Sequence, residues 1–103
     1  MFMDTENLIK DAKARFAHNS AKAYLKDKYQ SKLTVANQGG LWKVTPELLV
    51  FIDSAGSEEL ILVDSYDNPV KVKRLELLQL VRDTYNNVME EWYTEFKKLE
   101  NNR

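Results

Sequence analysis

The chain has 103 residues, no cysteine and a formal net charge of −1. Its hydrophobic content of 44% and charged content of 30% are ordinary for a folded protein and argue against disorder. These totals predict one domain over residues 1–103, and they exclude disulfides, cysteine metal sites and a general attraction to nucleic acid or anionic lipid.

The N-terminal third predicts helix. Four apolar residues recur there at helical spacing: Leu8, Ile9, Ala12 and Phe16. The polar stretch His18–Ser20 interrupts this pattern, because Asn and Ser side chains compete for backbone hydrogen bonds. Helical spacing then resumes as far as Tyr29. We therefore expect one kinked helix or two short ones.

Two hairpins are predicted by alternation of apolar and polar residues. "KLTVANQGGLWKV" has a strand on either side of Asn37–Gly40, whose residue types tolerate positive φ. "ELILVDSYDNPVKVKR" has one strand at Leu60–Val63 and another that begins at Pro69. Because Leu60–Val63 is apolar on both faces, we expect it to be a central strand.

The segment between the hairpins, "TPELLVFIDSAG", carries conflicting signals. Its Val50–Ile52 run favours a strand, whereas Thr45 followed by proline is a strong helix start. We predict a short helix over about Pro46–Ala55, closed by Gly56 in the left-handed conformation, with a strand as the alternative. Asp53 then lies in the last helical turn and not at a strand end above a phosphate, and the chain has no glycine-rich phosphate loop.

The C-terminal segment predicts one long amphipathic helix from Leu75 to Leu99, with a heptad stripe along it. Such a helix is about 37 Å long, whereas a domain of this size has a radius of gyration of about 13 Å and covers it only in part. Either the N-terminal helix or a second molecule must cover the stripe. The candidate partner-contact residues are Tyr85, Met89, Trp92, Tyr93, Phe96 and Leu99.

Together these elements predict an α+β fold in the order α-β-β-α-β-β-α. A small antiparallel sheet formed by two hairpins packs against helices, and a long C-terminal helix completes the chain.

No pattern predicts catalysis. His18 is the only histidine, the Asp64–Asp67 turn lacks the spacing of a calcium loop, and the glutamates of the C-terminal helix fall on its solvated face. We expect a non-enzymatic protein with no catalytic residue, metal, cofactor or evident small-molecule substrate. The leading hypothesis is an interaction or assembly protein that forms a homo-oligomer through its C-terminal helix, or binds another protein.

Accessory nucleic-acid binding is the alternative. "KDAKARFAHNSAKAYLKDKYQSK" interleaves basic and aromatic residues, and "KVKR" adds further charge. The candidate nucleic-acid contacts are Lys22, Lys26, Lys28, Lys71 and Lys73. Against this alternative, Asp11 and Asp27 lie within the basic run, and its aromatic residues occupy positions typical of a buried face.

Three stretches, "NQGGLWKV", "YDNPVKV" and "VMEEWYTEFKKLE", carry a resemblance over most of the chain. The sequence resembles small uncharacterised proteins encoded by large contractile-tailed phages, especially those of marine cyanobacteria. The resemblance implies an intracellular phage product that acts on the virion, on DNA processes or on host machinery. It implies no activity and no functional residues. Short apolar runs and a polar N-terminus predict neither a membrane span nor a signal peptide, so we expect a cytoplasmic protein.

Overall fold

The computed structural model describes the backbone of residues 5–101 and the side chains of residues 8–101. In chain order, the elements of this range are α1 (Thr5–Lys32), β1 (Thr34–Asn37), β2 (Gly40–Lys43), α2 (Pro46–Ser54), β3 (Glu59–Val63), β4 (Pro69–Lys73) and α3 (Arg74–Asn101). The α+β class, the element order and the long C-terminal helix are therefore confirmed. Within this range, no helix combines the length and apolar content needed to cross a membrane.

The two hairpins form separate two-stranded antiparallel sheets instead of one four-stranded sheet. β1 and β2 are joined by a two-residue turn in which Gln38 and Gly39 both have positive φ, at 54° and 83°. The turn predicted within Asn37–Gly40 is confirmed. The Lys73 N–H donates to Gln38 Oε1 at 2.7 Å, and Gln38 Nε2 donates to the Lys73 carbonyl at 3.3 Å. One amide side chain thus replaces a neighbouring strand at this point of β4.

The prediction that Leu60–Val63 is a central strand is wrong. In the described part of the chain, β3 pairs with β4 alone. Glu58 and Asp64, which flank β3, form backbone hydrogen bonds across the hairpin. Because hydrogen-bonded positions alternate along an antiparallel pair, the even-numbered residues of β3 are the ones that bond to β4. The backbone groups of Ile61 and Val63 therefore point to an open edge, and these side chains are 71% and 65% exposed. A run that is apolar on both faces does not distinguish a central strand from an edge strand with an apolar outer face.

The segment with conflicting signals is a helix, as predicted. Thr45 is its N-cap, and the Thr45 side chain accepts a hydrogen bond from the Leu48 N–H at 3.1 Å. The predicted left-handed cap at Gly56 is wrong. The helix ends instead through Ala55 in an extended conformation, and the Ala55 N–H donates to the Phe51 carbonyl at 3.2 Å. Because the chain leaves this helix in an extended conformation, its end needs no residue with positive φ.

α1 is one continuous helix of 28 residues, so of the two alternatives expected at His18–Ser20, two short helices are wrong. Asn and Ser cost at most about 0.7 kcal/mol each relative to alanine inside a helix. Alanines precede and follow this stretch, and the helix continues through it because two small penalties are less than the cost of ending one helix and nucleating another.

The core has two parts that share α3. The larger lies among the hairpins, α2 and the first half of α3, and its buried residues are Trp42, Val44, Ile52, Val72, Leu77, Leu78 and Val81. The smaller lies between α1 and the second half of α3, and its buried residues are Leu25, Tyr29 and Val88. The distal half of α3 is thus covered by α1 and not by the sheets.

α1 and α3 run antiparallel but are offset. Lys28 Nζ lies 3.0 Å from Glu95 Oε1, and Lys32 Nζ lies 3.5 Å from Glu91 Oε2. By this register α3 ends level with Lys22, and residues 5–21 of α1, called the overhang below, project beyond it by about 26 Å. The molecule measures 69 × 25 × 20 Å and its radius of gyration is 20.2 Å. A compact domain of this length would have about 13 Å.

Candidate functional site

The structure brings together four of the six candidate partner-contact residues. An apolar groove of about 280 Å³, called the α3 groove below, is lined by Met89, Trp92, Tyr93 and Phe96. Tyr85 packs instead against the larger core, and Leu99 packs against the smaller one. The predicted stripe is therefore divided between residues that hold the molecule together and residues that line an open groove.

α1 covers one side of the stripe. The Tyr29 ring stacks on Trp92, with ring centroids 6.2 Å apart and an interplanar angle of 10°. Trp92, Phe96 and Leu99 are each half-buried as a result. Tyr93 faces away from α1 and is 62% exposed. Internal cover by α1 and an uncovered apolar side thus coexist on the same helix.

A second groove of about 300 Å³ continues the first across Trp92 and Phe96 onto α1. Its α1 side is formed by Asn19, Lys22, Ala23 and Lys26. Phe16 lies on the same helical face as Ala23, seven residues earlier, and is 75% exposed. An apolar face therefore runs from the α3 groove over the second groove to the overhang, and "apolar face" is used below for these three parts together.

The opposite side of the helix pair is polar. Lys28 and Lys32 are paired with Glu95 and Glu91, and both ammonium groups lie over the Tyr29 ring, at 5.2 and 5.1 Å from its centroid. The hydroxyl of Tyr29, and then the ammonium of Lys28, lower the pKa of Glu95, while the hydrogen bond to Glu95 raises the pKa of Lys28. Burial raises the pKa of Tyr29. Lys28 and Glu95 are therefore both charged at neutral pH, and their ion pair contributes to the pairing of α1 with α3.

The candidate nucleic-acid contacts lie on two different elements. Lys22, Lys26 and Lys28 are on α1, and Lys71 and Lys73 are on β4. Lys28 and Lys71 are each ion-paired with a glutamate, the latter at 3.1 Å. The expectation that the aromatic residues of the basic run are buried is wrong for Phe16 and Tyr24, which are exposed, and right for Tyr29.

The two aspartates considered as metal or phosphate contacts, Asp53 and Asp64, interact instead with other groups of the protein. Asp53 lies in the last turn of α2, as predicted, with its carboxylate 3.5 Å from the guanidinium of Arg82. The Asp64 carboxylate accepts hydrogen bonds from three backbone N–H groups at 3.0–3.1 Å. Among the described residues, no three His, Asp or Glu side chains are grouped so that they could hold a metal ion.

The overhang is the part of the candidate site that sequence reasoning missed. The apolar spacing of Leu8, Ile9 and Phe16 was visible, and it correctly indicates a helix with an apolar face. Spacing alone does not say what covers such a face. Here the first half of α3 is occupied by the hairpins, so its second half is too short to cover the start of α1 as well.

Comparisons with models of protein families, with curated protein sequences and with solved structures gave no match for this chain. Its function must therefore be inferred from its own surface.

Proposed function

We propose that the protein is a non-enzymatic interaction or assembly protein that self-associates through the apolar face. The observation that carries this proposal is the α3 groove, in which one methionine and three aromatic residues lie side by side and open to solvent. Aromatic residues and methionine are enriched at protein interfaces, where a few such anchors supply most of the binding energy. A second copy is the favoured partner, because most soluble assemblies are symmetric homo-oligomers.

The composition of the α3 groove supports a protein partner over a small ligand. Met89, Trp92, Tyr93 and Phe96 supply apolar surface and one phenol, without the convergent polar groups that orient a small molecule. Lys97 lies 5.6 Å from the centroid of the Tyr93 ring, so the rim is charged while the groove is apolar. An apolar centre with a polar rim is the usual anatomy of a protein interface.

Accessory nucleic-acid binding is the alternative, and exposed Phe16 and Tyr24 beside the lysines of α1 favour it. The pairing of Lys28 and Lys71 with glutamates and the net charge of −1 weigh against it, because phosphate binding depends on unneutralised basic groups. An origin in a phage genome and a site of action in the host cytoplasm remain predictions of the resemblance.

Light scattering over a range of concentrations tests self-association. The weight-average mass should rise above the 12.0 kDa of one chain. Tyr93→Glu should lower the association constant by about tenfold or more, because it removes an aromatic anchor and places a charge in the groove. The fold should persist, because Tyr93 is mostly exposed in the single copy.

Tyr66→Glu is the matched control. Tyr66 is a tyrosine of comparable exposure in the turn between β3 and β4, outside the apolar face, and its replacement should leave association unchanged. A strict monomer at high concentration would contradict the proposal. So would a Tyr93→Glu chain that associates as strongly as the original.

A further inference from the structure

The overhang is a helix without cover of its own. All side chains from Leu8 to Ala17 are exposed, including the aromatic ring of Phe16. Most of the stability of a helix in a protein comes from packing of its apolar face, and intrinsic propensity contributes little. The helical conformation of the overhang and the burial of its apolar side chains therefore both need a packing surface that a single chain does not provide.

Three apolar side chains of the overhang lie on the helical face that leads into the second groove. Leu8, Ala12 and Phe16 are spaced four residues apart, and the same face continues through Asn19 and Ala23. Asn19 and Ala23 already line the second groove beside Trp92 and Phe96. The exposed stripe and the open grooves are therefore parts of one surface.

We infer that the overhang of a second copy occupies the apolar face, so that two chains related by a two-fold axis exchange their α1 ends in a four-helix bundle. This inference rests on the self-association proposed above and names the segment that fills the groove. Because a two-fold interface is self-complementary, each copy both offers an overhang and receives one. Both unpaired parts of the single chain are then covered at once.

Charge does not oppose this occupant. The overhang carries three basic and two acidic residues, a net charge of +1. Residues 89–101 of α3 carry four acidic and two basic residues, but Glu91 and Glu95 are already paired with Lys32 and Lys28 of the same chain. The charges left on this part of α3 sum to zero, so no like-charge repulsion excludes the overhang from it.

The contact area lies near the lower limit for a specific dimer. An overhang about 26 Å long and about 10 Å wide has a projected footprint of about 260 Å². The two-fold axis doubles this to about 500 Å² per copy. The accessible area buried is larger than this projection because the side-chain surface is uneven, and a standard interface buries roughly 800 Å² per partner.

The offset of the helices sets the register of this dimer. By the ion-pair register, Met89 at the inner end of the α3 groove is level with Thr34. A partner overhang that fills the groove to this end has its Thr5 level with Thr34. The two α1 helices are then antiparallel, and the midpoint between residues 5 and 34 puts the two-fold axis between Asn19 and Ser20, so the two copies of Asn19 are offset by only about 1.5 Å along the helices.

Single cysteines test this register, because the chain has none of its own. Asn19→Cys should form disulfide-linked dimers on mild oxidation. Ala12→Cys should not, since its two copies would be about 22 Å apart along the helices and a disulfide requires Cα atoms within about 7 Å. Cross-linking through Ala12→Cys and not through Asn19→Cys would mean that the overhangs pair with each other and leave the grooves empty, which would overturn the inference.

Phe16→Glu supplies an independent test by light scattering. It should weaken association about tenfold or more, as Tyr93→Glu does, because Phe16 would lie at the second groove of the other copy. Tyr24→Glu, an exposed aromatic on another face of α1, should have no effect. If the chain associates but Phe16→Glu is neutral, the overhang is not the occupant and self-association still stands. A chain that stays monomeric overturns both proposals.

Discussion

Asp64 and Gln38 take the place of the strand pairing that the two hairpins lack. Asp64 Oδ1 accepts the N–H groups of Tyr66 and Asn68 at 3.0 Å, and Oδ2 accepts the N–H of Leu41 at 3.1 Å. The backbone N–H groups of Asn68 and Leu41, which favour the charged carboxylate, lower the pKa of Asp64 below its ordinary value of 3.8. One buried carboxylate thus ties β2 to the turn of the other hairpin.

Asp64→Ala should therefore destabilise the protein at pH 7, with a fall in melting temperature of at least about 5 °C. Because the pKa of Asp64 is depressed by folding, its contribution is present above the unfolded value near 3.8 and is lost as the pH falls through the folded value. The difference in melting temperature between the original chain and the variant should shrink accordingly in acid.

Asp53→Ala is the control for this measurement. Its carboxylate is exposed and makes a single long ion pair, so its removal should change the melting temperature little at any pH. Equal melting temperatures of the original chain and Asp64→Ala at pH 7 would show that the carboxylate does not join the hairpins.

Among the strands, β3 has the least protected edge. Its outer backbone groups are unpaired with a strand, and Ile61 and Val63 on its outer face are apolar, which is the combination that promotes edge-to-edge association. The edge of β4 is protected by contrast. Pro69 has no N–H group, Lys71 is charged, and the Gln38 side chain forms hydrogen bonds with the backbone N–H and carbonyl of Lys73.

Ile61→Lys should slow aggregation on heating while changing the free energy of unfolding by no more than about 0.5 kcal/mol, because the side chain is mostly exposed. Leu62→Lys, the adjacent residue facing inward, should cost about 2 kcal/mol or more by placing an ammonium against the core. Turbidity and urea denaturation measure the two effects. If Ile61→Lys instead abolishes the dimer, association occurs through the β3 edge and not through the α3 groove.

The whole molecule is elongated because α3 packs against a different part of the chain with each of its halves. The first half of α3 covers the hairpins and α2, its second half pairs with α1, and α1 continues beyond the end of α3. Among the described residues, the hydrophobic core is therefore divided into two clusters. The larger core can stabilise the hairpin region, while the helix pair depends on a small core and on its ion pairs.

Small-angle X-ray scattering tests this shape. A dilute solution, or the Tyr93→Glu chain at higher concentration, should give a radius of gyration near 20.2 Å for the monomer. A compact arrangement with α1 folded against the sheets would give about 13 Å. A value near 13 Å would show that the overhang does not project.

Much of the fold was predictable from sequence because its signals are local. Thr45 before a proline specifies the start of α2, and the Asn37–Gly40 residues specify a turn with positive φ. The period of apolar residues specifies α3. These features depend on interactions between residues a few positions apart, so a single chain segment contains the information that decides them.

Other features depend on which surfaces meet, and only the tertiary structure decides those. Leu60–Val63 is a strand in either case, but whether another strand pairs with its outer edge depends on where the other hairpin lies. Likewise, the heptad stripe of α3 and the apolar residues of α1 are evident in the sequence. Their offset, which leaves Tyr93 and Phe16 uncovered, results from packing between segments more than 50 residues apart, and no local pattern encodes the position of one such surface against another.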